Sequence, residues 1–376
     1  MKKILAVCVL AVLVGACGGE RSLFQKARLA QARGNYQKAL SLYNQLIKQN
    51  PQHAPALTNR ALVWERMPAK NAAEQANNRN HAEEDYLRAL EINPNLAETY
   101  NNLGALYMDE GRNGDAIAYF SQAIYYKPNY FRALLNRATA NSKAGRYTDA
   151  LNDFAAAAAL RPNDPALLFN RAMAYVDMQK YEAADDDLSH AMAITPNNAR
   201  LYVERARVLN KMGYPADAYD DLTQAISLKP DYALAYYYLG DLMYRNGDTS
   251  LALGAMVKAK ELDSDYAPTY DLMGDMLAME DPVSATANYM VALKLDPQNA
   301  VKYQRKLAAM KTEEGRYQVM SSRFFPQGRA YNVDGEKRFV AQPIPTGVQT
   351  GQARPQTRVQ APQTQRGQTS RTSRRR

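Results

Sequence analysis

Residues that carry chemistry are scarce in this sequence. Its 376 residues include three histidines and two cysteines. His53, His81 and His190 lie far apart with no partner at metal-ligand spacing, and there is no glycine-rich phosphate loop or nucleophile elbow. Zinc sites and histidine-based catalysis need such side chains in clusters. These absences predict a protein that is not an enzyme and that holds no metal and no cofactor.

Long apolar runs are also missing, and the main candidate lies at the N-terminus. Residues 4–14 are apolar and follow Lys2 and Lys3. A membrane-spanning helix needs about 20 such residues, so this run is too short to be one. A basic start, a short apolar core and small residues near a cleavage point are typical of a secretory signal peptide. The sequence therefore predicts export from the cytoplasm.

The end of this leader carries a further signal. Residues 14–17 read VGAC and resemble the lipobox of bacterial lipoproteins. The resemblance implies that residues 1–16 are a removed signal peptide, that Cys17 is lipidated, and that residues 17–19 form a short tether to the membrane. Gly18 rather than Asp after the cysteine favours, by the same resemblance, an outer-membrane lipoprotein that faces the periplasm, with the inner membrane as the lesser option. The alternative is an ordinary signal peptide that merely contains Cys17.

Acidic residues are missing from the C-terminal tail. Residues 312–376 hold 12 Lys or Arg against 4 Asp or Glu, whereas the part between leader and tail holds 33 against 34. Residues 341–376 contain seven arginines, no acid, and many Gln, Thr, Pro and Gly. Such a segment buries too little apolar surface to fold, so we predict a basic disordered tail. Its charge suits an anionic polymer: peptidoglycan or lipopolysaccharide if the leader is correct, and no nucleic acid.

Internal repetition dominates the rest of the chain. Prolines recur every 34 residues, at positions 94, 128, 162, 196 and 230. With that period, the eighth residue is always Gly or Ala, the twentieth is always Ala, and the twenty-fourth is always bulky and apolar. Apolar residues at helical spacing with a small residue at one contact point predict pairs of closely packed helices.

Residues 97–130 carry this pattern most fully. They contain Tyr100, Leu103-Gly104, Tyr107, Ala116, Phe120 and Pro128. The segment resembles the tetratricopeptide repeat (TPR), and eight such repeats account for residues 20–299: 20–53, 54–96, 97–130, 131–164, 165–198, 199–232, 233–266 and 267–299. The resemblance implies an all-α fold, a TPR superhelical solenoid of antiparallel helix pairs.

Three segments depart from the period. Repeat two is 43 residues long, with its extra residues in the internal turn; they are either part of a binding face or one more turn of helix. Residues 300–311 predict a polar capping helix, which the end of a solenoid needs for solubility. Residues 312–340 contain several aromatic residues and are either a docking segment or a passive linker.

Arginine and aspartate occur together or not at all at two repeat positions. Four repeats have Arg at position seven and Asp at position twenty-three; the other four lack both. A partly buried charge needs a partner, and guanidinium can meet carboxylate in a two-bond fork. We predict four structural ion pairs between the helices of single repeats: Arg60–Asp85, Arg137–Asp153, Arg171–Asp187 and Arg205–Asp221.

The resemblance also implies a binding groove lined by the first helices of the repeats. The family's groove positions fall here on basic and apolar residues in the centre and on Asp271 and Asp275 at the C-terminal end. The predicted groove residues are Arg132, Lys143, Phe169, Met173, Val176, Arg200, Arg207, Lys211, Tyr237, Tyr244 and Arg245. A solvated inner face without a ligand is the alternative.

These observations favour a lipid-anchored scaffold or adaptor of the bacterial envelope. It is expected to bind peptide-like segments of envelope proteins in pilus, secretion or peptidoglycan machinery. The alternative function is a structural envelope protein whose arginine-rich tail binds an anionic polymer.

Overall fold

The computed structural model describes residues 19–324, and side chains up to residue 321. The predicted signal peptide, the lipidation site Cys17, residues 325–340 and the basic tail at 341–376 lie outside the described residues. Residues 19–324 form eighteen α-helices, one 3-10 helix and no strand. In this range no helix combines the length and the apolar character needed to cross a bilayer.

The helices follow one another along the chain with short connections. They are α1 (residues 19–32), α2 (Tyr36–Gln49), α3 (Ala54–Arg66), α4 (Ala72–Ile92), α5 (Ala97–Asp109), α6 (Asn113–Tyr126), α7 (Phe131–Lys143), α8 (Tyr147–Leu160), α9 (Pro165–Asp177), α10 (Tyr181–Ile194), α11 (Ala199–Met212), α12 (Pro215–Leu228), α13 (Ala233–Arg245), α14 (Thr249–Leu262), α15 (Ala267–Leu277), α16 (Pro282–Leu295), α17 (Ala300–Ala309) and α18 (Glu313–Phe324). The 3-10 helix is Pro297–Asn299. The predicted all-α solenoid of helix pairs is confirmed.

The chain forms two compact units. The first is Met1–Leu242 with Gly254–Asp265, and the second is Met243–Leu253 with Tyr266–Arg376. Within the first unit, α3 packs on α4, α5 on α6, α7 on α8, α9 on α10 and α11 on α12. The first helices of successive pairs also touch, α5 with α7 and α7 with α9. These first helices therefore lie side by side on one face of the unit.

Small residues allow the two helices of a pair to pack closely. The alanines at repeat position twenty are all fully buried, as at Ala116 and Ala150, and the bulky residues at position twenty-four are buried beside them. Gly104 shows the constraint best, because an added Cβ would lie 2.7 Å from the ring of Phe120. A side chain there would force the helices apart.

The turn inside the helix pair contains a left-handed residue in six of the eight repeats. The fifteenth repeat position has a φ between 73° and 91° in five repeats, where it is glycine. These are Gly34, Gly111, Gly145, Gly213 and Gly247. Repeat five has Gln179 at this position with a φ of 58°. A non-glycine residue is strained in that region, so this turn is the least favourable of the six.

The insertion in repeat two lengthens its second helix. Helix α4 has 21 residues, whereas α6 has 14. Asn71 accepts a hydrogen bond from the Glu74 backbone N–H, and the Glu74 carboxylate accepts one from the Lys70 N–H. This capping arrangement fixes the start of the helix. Of the two interpretations of the insertion, extra helix describes most of it.

The start of the predicted linker or docking segment, residues 312–340, is helical. Glu313–Phe324 forms helix α18. Val319 of this helix is buried with Met310 and with Ala278, which follows the first helix of repeat eight. Helix α17 is also less polar than expected, since Tyr303 is 1% exposed and donates a hydrogen bond to Asp296. Both helices contribute to the core of the unit rather than only covering its end.

Candidate protein-binding surface

Each predicted ion pair is a two-bond fork. Arg171 donates from Nε and Nη2 to the two oxygens of Asp187, both at 2.7 Å. The other three pairs have the same geometry, with distances of 2.6–2.8 Å. The Arg171 and Asp187 side chains are 25% and 9% exposed. The hydrogen bond to Asp187, opposed by burial, raises the pKa of Arg171, so the arginine remains charged.

Three of the four arginines also reach the preceding repeat. Arg137 Nη1 donates to Ser121 Oγ at 3.0 Å, and Arg205 Nη1 donates to Ser189 Oγ at 3.1 Å. Arg60 makes the corresponding bond to Asn44. This link was not predicted from the sequence, although its signal is readable: the twenty-fifth residue of the preceding repeat is polar. Each of these arginines thus joins three helices.

Repeat three replaces the ion pair with aromatic packing. The two positions hold Leu103 and Tyr119. The ring of Tyr119 lies 5.2 Å from that of Tyr107, and the guanidinium of Arg112 lies 3.9 Å from the Tyr107 ring. Apolar and stacking contacts occupy the place of the fork. In repeat three, aromatic and apolar side chains thus fill the positions that the ion pair occupies in four other repeats.

The predicted groove residues of the first unit fall into two groups. Arg132, Lys143, Arg200, Arg207 and Lys211 are exposed cations on α7 and α11. Between them on α9 lie Phe169, Met173 and Val176, which are half-buried and pack on the core. We call these eight residues the first-helix face. It presents an apolar strip between two sets of positive charges.

One contact on this face orders its centre. The guanidinium of Arg200 lies 4.3 Å from the centre of the Phe169 ring. A cation over an aromatic ring is attracted to it and holds the ring in place. Arg207 forms an ion pair with Glu204 and lies 5.0 Å from the ring of Tyr238. The two arginines therefore differ, because the charge of Arg207 is shared with a carboxylate.

Two predicted groove tyrosines are buried. Tyr237 is 8% exposed, with its ring 5.1 Å from that of Tyr238. Tyr244 is 2% exposed, and its hydroxyl donates to the backbone oxygen of Asp275 at 3.2 Å. The placement of Tyr237 and Tyr244 in the groove is wrong, because packing already covers both side chains. Arg245, next to Tyr244, is half-exposed.

The acidic end of the predicted groove is also covered. Asp271 and Asp275 are 1% and 0% exposed. Lys306 of α17 donates to both carboxylates, at 2.6 and 2.5 Å, and Lys302 lies 2.8 Å from Asp271. These aspartates hold the C-terminal helices on repeat eight and offer no open acidic surface. The family's groove positions could not reveal this, since the covering helix lies outside the repeats.

The Lys306–Asp271 contact continues a pattern of the repeats. Asn136 donates to Asn101, 35 residues earlier, at 3.0 Å. Lys306 and Asp271 are also 35 residues apart. Helix α17 therefore takes the place that the first helix of a further repeat would occupy.

No metal-binding group occurs between residues 19 and 324, where no three His, Cys, Asp or Glu side chains gather at ligand distance. The first-helix face offers exposed charge, a cation–π contact and half-buried apolar side chains.

Family profiles match several parts of the chain. Profiles described as tetratricopeptide repeat match residues 21–53, 97–130, 135–199 and 203–267, and one described as TPR repeat matches 77–111. Together they cover more than half of the sequence. No curated protein sequence matches the chain.

Solved structures show the same fold at low identity. A tetratricopeptide repeat protein from Parabacteroides merdae matches with a TM-score of 0.55 and 18% identity, over 68% of this chain and 97% of that one. PilW, described as a widely conserved type IV pilus biogenesis factor, matches with 0.53 and 21%, over 58% and 98%. Cut9 in the hetero-tetramer of APC/C Cut9–Hcn1 matches with 0.54 and 17%, over 77% and 55%. At these identities the likeness concerns the fold alone.

Proposed function

The chain belongs to the tetratricopeptide repeat proteins, and on that premise we propose that it is a scaffold that binds segments of partner proteins through the first-helix face of its first unit. The repeats account for most of the described residues, and the first-helix face carries charged and apolar side chains that a partner can contact. An interaction role fits a fold whose helices present one continuous face.

The observation that carries the proposal is the composition of α9 and its neighbours. Phe169, Met173 and Val176 leave apolar surface half-exposed, although burial of that surface would be favourable. Exposed cations of α7 and α11 flank it on both sides. Binding hot spots combine a desolvated apolar centre with a charged rim. A segment with apolar anchors and acidic residues satisfies both parts of this face.

The cellular setting is the less direct part of the proposal. The leader pattern supports export, lipidation at Cys17 and a position at the outer membrane facing the periplasm. There the scaffold would gather proteins of an envelope assembly, such as pilus, secretion or peptidoglycan machinery. A Cys17→Ala protein that still incorporates a fatty-acid analogue in cells would contradict the anchor.

Site-specific crosslinking tests the binding surface. A photo-crosslinking amino acid at Met173 of the full chain should capture defined partners in native host cells. The same amino acid at Tyr219, which is 43% exposed on the second helix α12, is the matched control. Capture at Met173 that disappears with a Lys211→Glu, Arg132→Glu double change supports the proposal. Equal capture at both positions, or none at Met173, contradicts it.

The basic tail supports a second candidate. Residues 341–376 lie outside the described residues, so the support is their seven arginines and their lack of acid. If this tail binds peptidoglycan or lipopolysaccharide, the full chain should sediment with purified sacculi at low salt, and removal of residues 341–376 should abolish it. Sedimentation that is independent of the tail and of salt contradicts this function.

A further inference from the structure

A cavity of about 860 Å³ lies beside the first-helix face, between two loops of the first unit. One wall is the loop of residues 194–200, between α10 and α11. The other is the equivalent loop one repeat later, represented by Leu228, Lys229 and Tyr232. Local bonds order both walls: in the first, Asn198 caps α11 and Tyr202 donates to the Pro196 carbonyl, and in the second the Tyr232 N–H donates to the Lys229 carbonyl. The cavity is therefore a built feature of the loops.

The lining of this cavity contains two cations and no acid. The exposed side chains of Arg200 and Lys229 supply the positive charge, and each lies against an aromatic ring. The Arg200 guanidinium is 4.3 Å from the Phe169 ring centre, and Lys229 Nζ is 5.2 Å from that of Tyr232. Within residues 19–324 neither cation forms an ion pair with a carboxylate. The nearby Glu204 is engaged by Arg207.

An earlier repeat shows how the same positions are neutralised. Lys127 of repeat three is equivalent to Lys229, and Glu98 is equivalent to Arg200. There Lys127 lies 3.8 Å from Glu98 in an ion pair. Repeat six has replaced the acid with a second cation, so that two like charges face one cavity. Such a pair is unfavourable in the free protein and becomes favourable when an anion binds.

Apolar surface around the cavity restricts what that anion can be. Ile194 is 39% exposed at the rim, and Leu228 forms part of the wall. Arg200 belongs both to the cavity and to the first-helix face, where it contacts Phe169. An anion that is attached to an apolar body would use both surfaces, whereas a free phosphate would use only the charges.

We propose that this cavity binds the carboxylate of an Asp or Glu side chain in a partner protein segment, with an apolar neighbour of that residue on Ile194 or Phe169. The inference rests on the proposed function of the first-helix face and specifies the chemistry of the segment. It places the acidic group at the end of the first-helix face, between the loop after α10 and the loop after α12.

A displayed library of random twelve-residue peptides, selected on the purified full chain, tests the site. Peptides enriched on the unaltered protein should carry Asp or Glu next to an apolar residue. Lys229→Glu should weaken an enriched peptide at least tenfold and should enrich Lys or Arg peptides instead. Lys127→Glu, the same exchange at the equivalent position in repeat three, should leave both results unchanged. Lys229→Gln removes the positive charge without reversing it and should also weaken the enriched peptide.

The alternative outcomes separate this site from the face itself. If Met173→Glu abolishes peptide binding but Lys229→Glu does not, the face binds peptides and the cavity proposal is overturned. If neither variant alters binding, the proposed function fails as well. A third outcome has two parts: the enriched peptides lack acidic residues, and inorganic phosphate at a concentration equal to that of the protein displaces a labelled peptide. The cavity is then a phosphate site, and the peptide proposal is overturned.

Discussion

Arg171 and Asp187 lie sixteen residues apart and join the two helices of one repeat through a pair of hydrogen bonds of 2.7 Å. The carboxylate is 9% exposed, so it has little access to water if the arginine is removed. Its charge is therefore tied to the folded pair of helices. The same relationship occurs in four repeats, and its consequences for stability can be measured separately from binding.

Removal of one partner should destabilise the protein more than removal of both. Arg171→Met leaves the Asp187 carboxylate without its fork, and we expect a loss of about 2–4 kcal/mol in the free energy of unfolding. The double change Arg171→Met, Asp187→Leu should be at least about 1 kcal/mol less destabilising than Arg171→Met alone, because it leaves no buried charge unpaired. Urea unfolding followed by circular dichroism measures both. A harmless single change would show that the fork contributes nothing.

The hydrogen bond from the arginine Nη1 to the preceding repeat gives a second prediction, which concerns the contact between repeats. Ser121 accepts from Arg137 at 3.0 Å while its own hydroxyl donates to the Ile117 carbonyl. A double-mutant cycle of Ser121→Ala and Arg137→Met should give a coupling free energy of about 1 kcal/mol. The converse test uses Arg171, because the residue equivalent to Ser121 one repeat later is Ala155, whose side chain cannot accept a hydrogen bond. Ala155→Ser should introduce a coupling free energy between positions 155 and 171, measured by a cycle with Arg171→Met.

The repeated columns made the fold readable from the sequence because each column reflects one packing demand. Gly104 is small because the Phe120 ring lies against it, and the alanines at position twenty are small because they are fully buried. The forks were readable for the same reason, since arginine and aspartate occur together inside one repeat. The bond from Arg137 to Ser121 was missed because it crosses a repeat boundary, where the two residues belong to different copies of the pattern.

The surface was less predictable than the core. Tyr244, Asp271 and Asp275 occupy positions that line a groove in related repeats, but here other parts of the chain cover them. Helix α18 gave a weak signal because Val319 is the one buried residue between 313 and 321, the part of the helix whose side chains the structure describes. A non-repeating segment offers no second copy with which to compare it, so its packing could be found only in the structure.

The left-handed turn of repeat five predicts a gain in stability from glycine. Gln179 has a φ of 58°, whereas five equivalent residues are glycine. Gln179→Gly should raise the free energy of unfolding by about 0.5–1 kcal/mol, because relief of backbone strain exceeds the added freedom of the unfolded chain. Gly145→Ala, the reverse exchange at the preceding repeat, should lower it by about 1 kcal/mol. Equal stability of Gln179→Gly and Gln179→Ala would show that the turn is not strained.

The contact between Lys306 and the buried aspartates predicts a pH dependence that is confined to the second unit. Burial raises the pKa of Asp271, but the ammonium groups of Lys306 and Lys302 outweigh it and hold that pKa below its usual value. Asp275 shares Lys306 and accepts a further hydrogen bond from Tyr289 at 2.8 Å. A carboxyl group whose pKa is lowered on folding stabilises the folded state above its unfolded pKa of about 3.9, and this stabilisation is lost as pH falls through the folded value.

Lys306→Met should therefore destabilise the second unit strongly at pH 7 and less at pH 3, because the intact protein itself loses the stabilisation from Asp271 as pH falls toward the lowered folded pKa of that carboxyl. Hydrogen exchange of the amides in α15 and α17 measures this locally, with α9 of the first unit as the internal reference. Lys302→Met is the matched control: Lys302 is half-exposed and, of the two aspartates, contacts only Asp271, so it should show the same direction with a smaller amplitude. A Lys306→Met defect of equal size at pH 7 and pH 3 would mean that the helix is held by apolar packing around Tyr303 and Met310 rather than by the charge of Lys306.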